Sequence, residues 1–214
     1  MREVGALALG IAASPFPVIP AILLLFTARP RPTSLAFLGG WFGGIGSVVG
    51  VFVVLAELLD PGGDPPTWLS WVRIAAGIAL VGYGLRRWVT RRASAEMPGW
   101  VRSIQDATPR TAARLALLLS AANPKVMLLA AAAGLEIGDA DLTTAGAIVA
   151  AGAFTIVASM SVAIPVIAYA VKGDSVLPPL ERAKVWLLRH NAMIMAIVLT
   201  VIGLVVLSNG VTAL

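Results

Sequence analysis

The chain has 214 residues, 58% of them hydrophobic and 13% charged, and a mean hydropathy of +0.90; a soluble domain is about one-quarter charged and has no way to hide so much apolar surface. Cysteine is absent, which excludes disulfides, thiol redox chemistry and Cys-ligated zinc or iron-sulfur centres. The net charge of +5 comes from basic residues set between apolar stretches, without the interleaved aromatics of an RNA-stacking surface, so it reports membrane topology and no nucleic-acid partner.

Apolar stretches of about 20 residues cross a bilayer core as helices. In chain order they predict six transmembrane helices, at residues 4–26, 34–59, 69–88, 112–134, 142–171 and 192–212. The fold class is therefore all-α, a polytopic membrane protein. Met1-Arg2-Glu3 runs straight into the first stretch, which is longer than the apolar region of a signal peptide, so this span is expected to be retained. The second span is crowded with glycines at small-xxx-small spacing, Gly39 to Gly43 and Gly46 to Gly50, which predicts close helix contact, with a lipid-sized groove as the alternative. Glu57 near the end of that span is expected to pair with Arg73 at the start of the third. Residues 176–190, with Leu180, Ala183, Lys184, Leu187 and Leu188, have the spacing of a short amphipathic helix ahead of the sixth span.

Loop charge sets the orientation, because Lys and Arg concentrate on the cytoplasmic side. Of 16 such residues, Arg2 and Arg73 fall on one side, Lys125 inside a span, and the remaining 13 on the other, four of them in the basic loop 91–111. Both termini are therefore expected outside the cytoplasm. Trp68, Trp71, Trp88 and Trp186 fall near span ends, as interfacial anchors do. Cysteines introduced at Ser94 and Asp139 should react with an impermeant thiol reagent from the inside and the outside respectively; labelling of both from one side would overturn the topology.

A repeat underlies the order of spans. Ala12-Ala13-Ser14-Pro15 matches Ala121-Ala122-Asn123-Pro124 at an offset of 109 residues, which also carries the second span onto the fifth. The third and sixth correspond after an insertion of roughly a dozen residues. Residues 1–90 thus form a first three-helix repeat and 112–214 a second. Three spans are an odd number, so the second repeat is inverted relative to the first, a recurring plan of secondary transporters.

Ser14-Pro15 and Asn123-Pro124 each lie about 15 Å deep at 1.5 Å rise per residue, close to the bilayer midplane. Ser and Asn are good N-caps and Pro is favoured at the first helical position, so each motif reads as the restart of a helix inside the membrane. Such restarts aim the positive ends of half-helix dipoles, with free N–H groups, at an anionic substrate. Lys125 follows directly as a charge deep in a span, either functional or merely bonded to carbonyls freed by the break. The substrate-binding candidates are Ser14, Pro15, Pro17, Asn123, Pro124 and Lys125, with Ser14 and Asn123 as plain caps the alternative. Trp41, Pro165, His190 and Asn191 are secondary candidates; Pro165 is expected to kink the fifth span, and His190 also reads as an interfacial residue. No nucleotide loop, Ser-His-Asp set or intramembrane carboxylate pair occurs, so no catalytic residue, metal or cofactor is assigned and an enzyme is not expected.

At these residues the chain resembles the LysE superfamily of exporters, which carry an Asn-Pro-Lys motif in the fourth span. More closely it resembles the actinobacterial glycopeptidolipid-addressing and sulfolipid-addressing proteins. Ser14-Pro15-Phe16-Pro17 with Gly40-Trp41, Thr108-Pro109-Arg110 leading to Asn123-Pro124-Lys125, and Trp186-Leu187-Leu188-Arg189-His190-Asn191 carry the likeness across nearly the whole chain. The resemblance implies a plasma-membrane protein that carries an amphipathic, anionic glycolipid toward the cell envelope, either as the pump or as an accessory to a larger lipid-export machinery. Membrane lipids are the implied partners, with a homodimer a further one. Val126 stands where that family would be expected to have a polar residue, so contacts there differ. An exporter of small solutes such as amino acids, and a non-transporting scaffold for lipid export, are the rival readings.

Overall fold

A computed structural model describes residues 2–59, 74, 78, 81–82, 85–86, 104, 106–140 and 142–212. Every regular element among the described residues is helical: α1 (Arg2–Ala12), α2 (Pro15–Leu24), α3 (Pro30–Leu59), α4 (Pro109–Ala121), α5 (Pro124–Gly138), α6 (Thr144–Lys172) and α7 (Leu177–Thr212), with a 3-10 turn at Gly173–Val176. Two segments, Pro30–Ala56 and Thr144–Leu187, are by themselves long and apolar enough to cross a membrane, and two bent pairs bring the number to four. The third predicted span and the Glu57–Arg73 pair fall mostly outside the described residues. The sixth predicted span lies within α7, which also takes in most of the stretch expected as a separate amphipathic helix.

Both breaks occur where the repeat places them. The first half-helix ends at Ala12 or Ala121, and the second begins at Pro15 or Pro124, each 109 residues apart. Proline cannot donate a backbone hydrogen bond and drives the residue before it out of the helical region. Ser14 (φ −77°, ψ 121°) and Asn123 (φ −77°, ψ 115°) are accordingly extended. The axes bend by 47° between α1 and α2 and by 65° between α4 and α5. Pro17 and Pro20 do not interrupt α2, and α6 runs through Pro165 without a break. The cost at Pro165 is the lost partner of the Ser161 carbonyl, which a buried helix tolerates through its neighbours.

α1 packs on α5 and α2 on α4, the pairing that two antiparallel broken helices give when their breaks lie level. Each continuous helix lies against the other broken pair, α3 on α4 and α5, α6 on α1 and α2, and α3 also meets α6. Phe37, Trp41, Ile45 and Val49 are buried along one stripe of α3. Glycines let these backbones approach. A Cβ at Gly40 would strike the Ala113 carbonyl, and one at Gly44 would strike Ser120 Oγ. On α5, a Cβ at Gly134 would sit 2.7 Å from Phe52 Cβ and the Val49 carbonyl oxygen, and one at Gly138 would sit 2.9 Å from the Val53 carbonyl oxygen. The close face of α3 is therefore Gly40–Gly44, one residue round from the expected Gly39–Gly43, whose Cβ positions meet nothing within 4 Å; Gly50 is equally open.

The chain divides into two compact units, Met1–Asp60 with Met97–Leu188, and Pro61–Glu96 with Arg189–Leu214. The first holds α1 to α6 and the start of α7. The units do not follow the bounds of the two predicted repeats.

Candidate functional site

The two helix restarts are built differently. At α5, Asn123 Oδ1 accepts the Lys125 backbone N–H at 3.1 Å, and the Asn123 carbonyl accepts from the Met127 N–H at 2.8 Å, opening the helix. At α2, Ser14 is buried in the cap conformation without a capping side-chain hydrogen bond. Pro15 and Pro17 occupy two of the first three positions of α2 and are buried; neither has an N–H. The expectation of several free backbone donors at each restart is thus corrected. At α2 Pro15 and Pro17 lack an N–H, leaving that of Phe16 between them, and at α5 Pro124 has none while the Lys125 N–H is already engaged. The half-helices supply partial positive charge, but the donors for an anion must come mostly from side chains.

Lys125 is the principal one. Its Nζ is enclosed by protein and has no hydrogen-bond partner among the described residues, so it does not bond the carbonyls freed by the break. It lies in the first turn of α5, at the positive end of the helix, where the dipole disfavours a cation. An unpaired ammonium held there against both desolvation and dipole makes a local positive potential that an anion would neutralise.

Among the described residues three other enclosed polar atoms lack partners: Trp41 Nε1, Ser159 Oγ and Ser161 Oγ. All four groups can donate, and of the four only Ser159 lies along the groove between α3 and α6. Trp41 was legible as a secondary candidate. Ser159 and Ser161 carry a weaker sequence signal, two serines within an apolar stretch. Ser120, by contrast, is buried but bonds the Ala116 and Leu117 carbonyls at 2.9 and 3.1 Å, a structural use. Pro165 is buried within α6. His190 and Asn191 belong to the second unit, and the Asn191 side chain lies outside the described residues.

A groove of about 950 Å³ runs between α3 and α6. Gly39, Gly43, Ser159 and Ala163 form part of its lining, and Leu35, Phe42, Met160 and Ile164, all well exposed, contribute to its walls. Gly39 and Gly43, expected at a close helix contact, thus lie along the groove instead, while the close contact falls at Gly40 and Gly44. At the end of α6, Tyr169 donates to Asp174 Oδ1 at 3.0 Å, and on α7 Lys184 pairs with Glu181 at 2.7 Å while lying 5.1 Å from the Phe26 ring centre.

A family model described as Sap, sulfolipid-1-addressing protein, matches residues 4–212. No curated protein and no solved structure matches the chain.

Proposed function

Because the chain belongs to the Sap, sulfolipid-1-addressing protein family, we propose that it is a plasma-membrane transporter that moves an amphipathic, anionic glycolipid toward the cell envelope. The observation that carries this reading is the enclosed Lys125 ammonium at the start of α5, which has no partner among the described residues. The anionic head pairs with Lys125, and the half-helix ends of α2 and α5 orient it. The lipid tails stay in apolar surroundings, and the groove between α3 and α6, open at the protein surface, supports a substrate with such tails rather than a small polar solute.

Alternating access comes from one inverted repeat rocking against the other, in a chain of six spans with both termini extracytoplasmic. The matched breaks 109 residues apart, their shared cap geometry and the reciprocal contacts of α3 and α6 with the opposite broken pairs support this plan.

The test is transport by the full chain in proteoliposomes of two glycolipids that differ only in a sulfate. The sulfated lipid should be favoured at least tenfold, the order of one charge-assisted hydrogen bond of about 1.5–3 kcal/mol. Equal transport of the two would remove the electrostatic basis of the proposal.

A further inference from the structure

We infer that the groove between α3 and α6 is the lateral portal for an ester-linked anionic lipid from the leaflet next to the basic loops. This rests on the lipid-handling role proposed above and specifies where the substrate leaves the bilayer.

Position and length suit one leaflet. The groove takes residues 35–43 of α3 and 156–168 of α6, each a helical stripe. Along α6 it extends about 18 Å at 1.5 Å per residue, comparable to half of a hydrocarbon core about 30 Å thick. One end lies a turn from exposed Arg31 on α3 and a turn from exposed Lys172 on α6, and Arg31 is within electrostatic reach of Tyr169, so these two helix ends come together. The other end, at Gly43 and Ile156, is near mid-helix. Cations at the mouth favour an anionic head there, with the acyl chain running inward.

Two observations indicate that the slot is kept for a ligand. Gly39 and Gly43 leave room for side chains that nothing fills, whereas Gly40 and Gly44 are pressed against α4. Ser159, only 2% exposed, is one of the residues that line the groove, and its hydroxyl has no partner among the described residues. A helix from a second copy would cover the apolar walls, but its backbone carbonyls are already bonded within the helix and leave that hydroxyl unsatisfied. An ester carbonyl satisfies it. Ser159 lies about 20 Å along α6 from Lys172, so an ester that reaches it has been drawn below its resting depth at the interface, as translocation requires.

The experiment uses the full chain in vesicles containing phosphatidylglycerol with a photoactivatable diazirine in one acyl chain, in ester-linked and ether-linked forms, with the phosphatidylcholine analogue as control. Adducts should concentrate in residues 35–43 and 156–168, and phosphatidylglycerol should label more than phosphatidylcholine. The ester form should exceed the ether form roughly two- to tenfold, the yield of one hydrogen bond, and Ser159→Ala should bring that ratio to one. Gly43→Leu should reduce groove labelling severalfold without lowering the Tm, because its Cβ enters open space. Even labelling of outward positions such as Ile148 and Val149, equal labelling by ester and ether lipids, or cross-links between two copies through the groove would overturn the inference. Lys125→Met should leave groove labelling intact, so a failed head-group test and a failed portal give different results.

Discussion

Lys125→Met should abolish export of the native lipid while leaving the protein folded in the membrane with an unchanged or higher Tm. Methionine keeps the length and apolar bulk of the side chain and removes the enclosed charge. A Lys near the bilayer centre costs about 2.5–3.5 kcal/mol on insertion scales, and without a partner there is little to return that cost in the absence of substrate. A structurally paired lysine would behave in the opposite way, because its removal strands a buried partner at about 3–5 kcal/mol. Lys125→Arg should retain part of the activity, since the charge remains but its planar fork fits a different geometry from a compact ammonium. Export and thermal stability are measured on the same detergent-solubilised and reconstituted variants. Normal export by Lys125→Met, combined with loss of export on disrupting residues 91–111, would make the chain a scaffold; a large fall in Tm with export following it would make Lys125 structural.

Neighbouring glycines on α3 should respond oppositely to the same substitution. Gly40→Ala puts a methyl into the Ala113 carbonyl, a backbone atom that moves only if α4 moves, and overpacking of this kind costs about 1–3 kcal/mol. Gly39→Ala meets nothing within 4 Å and gains helix propensity, up to about 1 kcal/mol. The Tm should therefore fall for the first and hold or rise for the second. Gly134→Leu, against the backbone of α3 at Val49 and Val53, should be more damaging still and yield little folded protein. A stable Gly40→Ala with a wild-type Tm would mean that α3 and α4 do not approach as closely as described.

The sequence by itself determined the features that depend on local chemistry. Membrane character follows from composition, and the two breaks follow from Ser14-Pro15 and Asn123-Pro124, because a proline removes a backbone donor and constrains the residue before it wherever it stands. The thin supply of N–H donors at α2 was equally legible in Pro15 and Pro17. Only the tertiary structure decided what depends on neighbours. A helix with glycines on several faces does not say which face meets a partner, and the contact with α4 selects Gly40 and Gly44 while leaving Gly39 and Gly43 to the groove. Depth along a span does not say whether a side chain is paired, and enclosure without a partner among the described residues is what separates Lys125 and Ser159 from Ser120, which bonds its own helix. α6 stays one continuous helix through Pro165, where neighbouring helices can offset the lost backbone hydrogen bond.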